Sequence, residues 1–211
     1  TSNGATLKIN NSKILNSANS ALVGTTASIE ATNSIFHNSG QSTVVARLGG
    51  DYNFNNCTIS NYWNNSFRQE PILLVSNIIP NTSLTEDVTA ANFTNCIIYG
   101  NRNIELALLD DGLSAFNFKF ENSLIRFNDF SNSFSGIPNY DFSNSSLYEQ
   151  CVLNADPLFE DVDAFKLRID NTGGANAIAS PTTSTLQDIS GTTRGTSPDA
   201  GAFESTDLSG S

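Results

Sequence analysis

Three acidic residues stand closest to a catalytic arrangement in this sequence: Asp110, Asp111 and nearby Glu105. Hydrolysis of a glycosidic bond needs two carboxylates a few ångströms apart on one face. Adjacent residues of a strand face opposite sides, and an Asp-Asp-Gly run more often marks a turn. We therefore expect these carboxylates to have a structural role and assign no catalytic residue.

Basic residues that could serve a polysaccharide lyase are present but form no cluster along the chain: Arg47, Arg68, Arg102, Lys119 and Arg126. His37 is the only histidine and directly precedes Asn38 at an expected turn. No Ser-His-Asp arrangement can be built on one isolated histidine. We expect His37 to be structural or solvated.

Three cysteines, Cys57, Cys96 and Cys151, share one position of a repeat. No Cys-x-x-Cys spacing exists, so the cysteines give no indication of a metal site. A disulfide between Cys57 and Cys96 is conceivable if neighbouring strands stack about 4.8 Å apart, but its geometry is demanding. The favoured interpretation is small buried thiols that replace serine.

Binding is easier to motivate than catalysis. The run Asn61 to Asn65 places the only tryptophan, Trp63, beside Tyr62 and among side-chain amides. An exposed aromatic ring with amide neighbours can stack on a sugar and bond its hydroxyl groups; alternatively, the indole packs against a neighbouring coil. The predicted binding residues are Trp63, Tyr62, Arg68 and Asn64, with a loop over 76–90 on the same side.

A repeated frame must position these residues. In it a small reference residue follows Asn or Gln, with a mostly large residue three positions before and an apolar residue two positions after. The reference residues are Ser12, Ser34, Cys57, Cys96, Ser123 and Cys151, separated by 22, 23, 39, 27 and 28 residues. A period in the twenties with one apolar-alternating unit per turn is typical of a solenoid.

The frame predicts an all-β fold, a right-handed parallel β-helix of about six coils, since right-handed winding is the default for parallel connections. The Asn before each reference should lie at a bend, because Asn tolerates left-handed backbone angles. A second strand-like run follows in four coils, near 21–23, 43–46, 71–75 and 104–109. The residues expected to point inward are Ile9/Ile14, Ala31/Phe36, Phe54/Ile59, Phe93/Ile98, Phe120/Ile125 and Tyr148/Leu153.

The last quarter of the chain resembles a known family. The segments that carry the resemblance are Asp156-Pro157-Leu158-Phe159, Phe165-Lys166-Leu167, Ala175-Asn176-Ala177-Ile178, the run from Asp188 to Gly195, and the run from Pro198 to Glu204. They are similar to the C-terminal pattern of β-helical surface proteins of Bacteroidota, the choice-of-anchor Q domain proteins. The resemblance implies export to the exterior or outer cell surface of a Gram-negative bacterium; it says little about activity.

We expect three regions: β-helix coils over 1–155, an irregular C-terminal cap over 156–204 and a polar tail over 205–211. The apolar residues expected to cover the end of the last coil are Phe159, Phe165, Leu167, Ile178, Ile189 and Phe203. Arg194 should pair with Asp188 or Asp199. A Ca²⁺ site at Asp156, Asp161 or Asp163 is an alternative to a purely structural role; otherwise no cofactor or metal is expected.

Charge limits the partners. The net charge is −11 with only ten Lys and Arg. This charge argues against binding of nucleic acid, of anionic membranes and of anionic polysaccharides. No apolar run is long enough to insert into a membrane. The chain has no Met, and the first recognisable rung, at Ile9, follows Thr1 closely. We therefore expect a processed or partial product whose open first coil could dock on another chain.

Two functional hypotheses remain. The first is a secreted or cell-surface scaffold without catalysis, adhesin-like, that binds a polysaccharide or another surface protein. The second is a fragment of a polysaccharide lyase or glycoside hydrolase whose active site lies partly on N-terminal coils outside this sequence. A carboxylate pair or calcium cluster on an open groove would favour the enzyme; a smooth Asn/Ser/Thr surface with an exposed Trp63 would favour the scaffold.

Overall fold

The computed structural model of the protein describes residues 4–210, so Thr1 to Asn3 and Ser211 of the expected regions lie outside the described residues. Within residues 4–210 the chain is all-β and contains no α-helix; a short 3-10 turn spans Pro138–Tyr140. Most strands pair in parallel, as expected from the repeat frame.

Two parallel sheets make up the body of the molecule. The first sheet contains β1 (Thr6–Asn10), β3 (Leu22–Thr32), β5 (Val44–Asn55), β8 (Val88–Thr94), β11 (Lys119–Glu121) and β13 (Tyr148–Glu149) in that order, with β7 (Leu73–Ser76) and β10 (Leu106–Leu109) continuing from the first part of β5. The second sheet contains β2 (Lys13–Ser17), β4 (Ile35–Ser39), β6 (Thr58–Asn61), β9 (Ile97–Gly100), β12 (Leu124–Ile125) and β14 (Val152–Leu153). An antiparallel pair, β15 (Phe159–Asp161) and β16 (Lys166–Ile169), follows.

The register of the second sheet confirms the repeat frame. The residues that directly follow the reference positions pair in one continuous row: Lys13, Ile35, Thr58, Ile97, Leu124 and Val152. The predicted second runs also pair, with Leu22 opposite Val44, Val44 opposite Leu73 and Leu73 opposite Leu106. The extra residues of the longest interval lie in two loops: one joins β7 to β8, where the loop over 76–90 was expected, and the other joins β6 to β7.

Each bend between the two sheets depends on a left-handed residue. The residues before the reference positions have φ between 46° and 53°: Asn11, Asn33, Asn56, Asn95, Asn122 and Gln150. Asn visits this region more easily than most residues because its short polar side chain can bond locally. The predicted bending role of the Asn column is confirmed.

The core lies between the two sheets and contains the predicted inward residues, with one exception. Aromatic rings stack along it: Phe54 to Phe93 at 5.0 Å, Phe93 to Phe120 at 4.9 Å and Phe120 to Tyr148 at 5.5 Å between centroids. Leu153 is the exception. Its side chain is 37% exposed, because β14 is the last strand of its sheet and has no neighbour beyond it.

The segment 127–147, not the segment 156–204, covers the end of the sheets. The Phe142 ring lies 4.4 Å from Tyr148, the last ring of the stack. The backbone N–H of Leu108, on edge strand β10, donates to the Tyr140 hydroxyl at 2.7 Å. The segment therefore covers the last apolar layer and bonds to an otherwise open strand edge.

The C-terminal segment lies along the outer side of the second sheet, and we call residues 156–206 the strap. Ile97 and Leu124 point outward and pack against Ala175 and Ala200 of the strap. Ile35 packs against Phe203 in the same way. The prediction of an end cap is wrong, because this outward apolar row gives the strap a lateral surface to bury.

The strap is also bonded to the Asn column. Ser180 N–H donates to Asn95 Oδ1 at 2.8 Å, and Thr185 N–H donates to Asn56 Oδ1 at 2.9 Å. The Asn33 side chain donates to the Gln187 carbonyl at 3.2 Å. The amides that hold the bends therefore also fix the position of the strap.

Arg194 anchors the strap through a different partner from the one predicted. Its guanidinium pairs with Glu204 and donates to the Gly201 carbonyl at 2.8 Å. The carboxylates of Asp188 and Asp199 accept backbone N–H groups, including those of Thr192 and Ser205, and are unavailable for the pair. Because both aspartates bind nearby backbone N–H groups, Arg194 pairs with Glu204 instead.

Candidate functional site

Trp63 lies on the loop between β6 and β7 and is half-buried. Its indole N–H donates to Ser66 Oγ at 2.8 Å, and its backbone N–H donates to Asn61 Oδ1 at 3.0 Å. A methyl group added to Gly40 would meet the indole at 3.5 Å, so the ring lies against that backbone. Asn64 beside it is exposed. Trp63 and Asn64 are therefore neighbours on this loop, with the indole partly buried and the amide exposed.

Tyr62 faces the strap. Its ring lies 6.3 Å from Phe159 and 6.3 Å from His37 between centroids, and burial raises the pKa of its hydroxyl well above the ordinary value. His37 is fully buried, with Nδ1 2.7 Å from Ser60 Oγ, and burial lowers its pKa. His37 reaches the strap through the Phe165 ring, 5.5 Å away between centroids, and the Val162 carbonyl, 3.3 Å from Nε2, so it takes the structural one of its two expected roles.

Arg68 is also buried and does not join Trp63 at the surface. Its guanidinium makes two bonds to Glu105, at 2.6 Å and 2.8 Å, and a third to Asn101 Oδ1 at 2.9 Å. The Glu105 side chain is 0% exposed. Of the four predicted binding residues, the structure places Trp63 and Asn64 side by side on one loop, directs the half-buried Tyr62 at the strap and buries Arg68.

Asp110 and Asp111 hold a turn. Asp111 accepts hydrogen bonds from Thr85 and from the N–H groups of Leu113 and Ser114, and these bonds hold its pKa far below the ordinary value. Both aspartates also accept from the Asn77 side chain, at 3.1 Å and 2.9 Å. With Glu105 bound to Arg68, the three carboxylates do not form a catalytic pair.

The cysteines are free thiols. Cys57, at the bend between β5 and β6, and Cys96, at the bend between β8 and β9, are both fully buried. Burial raises the pKa of Cys96. Burial also raises the pKa of Cys151 to about 11. The interpretation as small packed thiols fits these positions.

Two of the three possible Ca²⁺ ligands accept hydrogen bonds from nearby backbone groups. Asp156 and Asp161 each accept a backbone N–H, from Leu158 and Ala164, at 2.9 Å. Among residues 4–210, no group of three or more His, Cys, Asp or Glu side chains is placed to hold a metal ion. The Ca²⁺ alternative therefore gains no support from the geometry.

A groove lined largely by polar side chains lies on the outer face of β3, β5 and β8, and we call it the polar groove. It encloses about 460 Å³, with Thr183 of the strap at one side. Two outward rows form its floor in register: Glu30, Asn53 and Asn92, then Thr32, Asn55 and Thr94. Their spacing follows the sheet, about 4.8 Å between strands and about 7 Å along each strand.

Internal hydrogen bonds orient the amides of the polar groove. Asn92 donates to Asn53 Oδ1 at 2.9 Å, and Asn55 donates to the Thr183 carbonyl at 2.7 Å. Within the described part of the chain, Asn92 Oδ1 and the hydroxyls of Thr32 and Thr94 have no hydrogen-bond partner in the protein. The three residues are partly buried and line the groove. They can accept or donate bonds to a ligand without first breaking internal ones.

Sequence reasoning missed this site, although a signal was present. The rows lie two and four residues before each reference position, where Asn, Thr and charged residues alternate with core residues. Such alternation marks a polar outer face. Only the strap, whose lateral position was not predicted, turns that face into a groove.

Comparison with known proteins adds no relative. A scan against models of protein families finds no match, and searches of curated proteins and of solved structures find no significant match. The polar groove is therefore interpreted from its own chemistry.

No helix within residues 4–210 is long and apolar enough to cross a membrane.

Proposed function

We propose that the two parallel sheets form a right-handed parallel β-helix of about six coils, and that the protein is a non-catalytic scaffold that binds a neutral carbohydrate in the polar groove. The continuous row from Lys13 to Val152, one residue per repeat, supports the coil count. The resemblance of the strap to surface proteins of Bacteroidota supports a secreted or outer-surface location.

The observation that carries the proposed ligand is the set of unpaired polar atoms on an ordered floor. Sugar hydroxyls both donate and accept, and they suit Thr hydroxyls and Asn oxygens held at fixed spacing. Orientation of these groups before binding lowers the entropy cost of association.

The charge of the groove favours a neutral glycan. Among the described residues that line it, Glu30 alone is charged, and Lys8 neutralises it at 2.5 Å. The net charge of −11 would repel a uronate chain.

The same lining supports a binding role over hydrolysis. A glycoside hydrolase needs two carboxylates across its substrate, and the described lining contains one. The described lining therefore supplies no second carboxylate for glycoside hydrolysis at this groove.

The test is isothermal titration calorimetry with a panel of neutral hexose and pentose oligosaccharides and one polygalacturonate. We expect a neutral chain to bind the intact protein and the double variant Thr32→Val/Thr94→Val to bind it about tenfold more weakly, since two hydrogen bonds are lost at similar volume. Thr6→Val removes an exposed hydroxyl of β1 outside the groove and should leave affinity unchanged. Equal loss in both variants, or binding of polygalacturonate alone, would overturn the proposal.

A further inference from the structure

A second groove has an apolar floor on an outward surface. Val23, Val45 and Leu74 pair in register across β3, β5 and β7. Their neighbours Leu22, Val44 and Leu73 fill the core, so the row itself points outward. Val23 is 49% exposed and Leu74 is half-buried, whereas Val45 between them is 8% exposed and lies at the bottom of the row. An outer sheet face is usually polar, and an apolar row there indicates a contact surface.

Two loops turn this row into a groove of about 540 Å³, which we call the aliphatic groove. Glu70, from the loop after Trp63, and Pro80, from the loop between β7 and β8, both line it together with Arg47. The aliphatic groove and the polar groove share no lining residue. A ligand of one need not compete with a ligand of the other.

Two opposite charges at the aliphatic groove are unpaired. Arg47 donates from Nε to Thr25 Oγ1 at 3.0 Å, and within residues 4–210 its guanidinium makes no ion pair. The Glu70 carboxylate likewise has no hydrogen-bond or ion-pair partner in the described chain. Both residues are exposed. An occupant with an acidic group near Arg47 and a basic group near Glu70 would complement both.

We propose that the aliphatic groove docks an extended segment of a partner protein in which aliphatic side chains lie between an acidic and a basic residue. The floor is made of branched aliphatic side chains without an aromatic ring, so it fits alkyl side chains better than the face of a sugar. Alternate residues of an extended peptide point to one side. The acidic, aliphatic and basic side chains of such a segment can therefore face the groove together. This protein-docking role is separate from carbohydrate binding at the polar groove.

The test uses fluorescence anisotropy with a labelled peptide, Asp-Thr-Val-Thr-Val-Thr-Lys, whose Asp, Val, Val and Lys share one face. A peptide with Ser in place of both Val is the reference. We expect the valine peptide to bind at least about tenfold more tightly, because only it buries apolar surface. No binding of the valine peptide at millimolar concentration, or equal binding of both peptides, overturns the proposal.

Protein variants locate the contact. Val23→Asn/Leu74→Asn should weaken the valine peptide about tenfold or more, whereas Leu113→Asn, at a leucine that is 91% exposed elsewhere, should not. The intact protein should bind the valine peptide with Asp and Lys ends more tightly than a valine peptide with Lys at both ends. Arg47→Glu should reverse this order of affinity. Thr32→Val/Thr94→Val should leave peptide binding intact, which separates this result from that of the polar groove.

Two other occupants are also distinguishable. A dimer in sedimentation that Val23→Asn/Leu74→Asn abolishes would assign the groove to a second copy of the chain and overturn the proposal. Displacement of the peptide by a neutral oligosaccharide would assign it to a glycan and overturn it as well.

Discussion

At the scale of single residues, the pair Arg68 and Glu105 shows how a charged residue suggested for binding serves the fold. Glu105 accepts two bonds from Arg68 and further bonds from the N–H groups of Ile72 and Arg102. The pair therefore joins the loop that contains Trp63 to the strand run beginning near 104. Its contribution comes from the cost of leaving either charge buried without the other.

Replacement of Arg68 by Met tests this role. It leaves the Glu105 carboxylate buried and uncompensated, and we expect the free energy of unfolding to fall by about 3–5 kcal/mol in urea denaturation. The double variant Arg68→Met/Glu105→Gln should recover much of the loss because no buried charge remains. A single variant that loses less than about 1 kcal/mol would show that the pair is solvated in solution.

The bends were predictable from single residues, whereas the Arg68 partner was not. Asn has an intrinsic tolerance of left-handed angles, so Asn33 or Asn95 in a repeated position indicates its own backbone conformation. The Arg68 contact joins residues 37 apart through an irregular loop. Nothing in the local sequence of Arg68 specifies Glu105 rather than another acid.

At the scale of elements, the strap depends on a close approach at Gly201. Gly201 has φ of 90°, and a methyl group there would lie 2.6 Å from Ile97 Cδ1 and 2.7 Å from Thr58 Oγ1. Gly191, also in the strap, has φ of 89° but nothing within 4 Å of such a methyl group. The two glycines share one backbone requirement and differ in packing.

This pair of glycines separates strain from packing. We expect Gly191→Ala to cost about 1–2 kcal/mol of unfolding free energy, the penalty of a left-handed alanine. Gly201→Ala should cost about 1–3 kcal/mol more because it also overpacks the contact with the second sheet. Urea denaturation measures both, and hydrogen exchange at Ser180 and Thr185 should quicken in Gly201→Ala. Equal losses in the two variants would mean that the strap does not pack closely at Gly201.

The positions of the strap and of the segment 127–147, which covers the end of the sheets, could not be predicted from the strand pattern. The register of the strands follows from the repeat, because a one-residue slip would expose the core face. The surface that the strap covers was also encoded, in the outward residues Ile35, Ile97 and Leu124. The segment 127–147 occupies the end of the sheets instead, a choice set by tertiary packing of Tyr140 and Phe142 rather than by any repeat.

At the scale of the whole molecule, the first sheet supplies two different outer surfaces. The part formed by β3, β5 and β8 is polar and lies beside the strap, whereas the part formed by β3, β5 and β7 is aliphatic and lies between two loops. Separate grooves on one rigid sheet are consistent with a scaffold that holds a glycan and a protein partner at once. The net charge of −11 would disfavour a polyanionic ligand at either groove.

The most direct test of glycan binding is a titration of the ¹⁵N-labelled protein with the best-binding neutral oligosaccharide, followed by NMR. The signals that report the polar groove are the side-chain amides of Asn53, Asn55 and Asn92 and the backbone amides of Thr32 and Thr94. We expect the largest shift changes at these groups, and recovery of the oligosaccharide at its original length. Changes centred on Trp63 and Asn64, or a shortened oligosaccharide, would contradict non-catalytic binding in the polar groove.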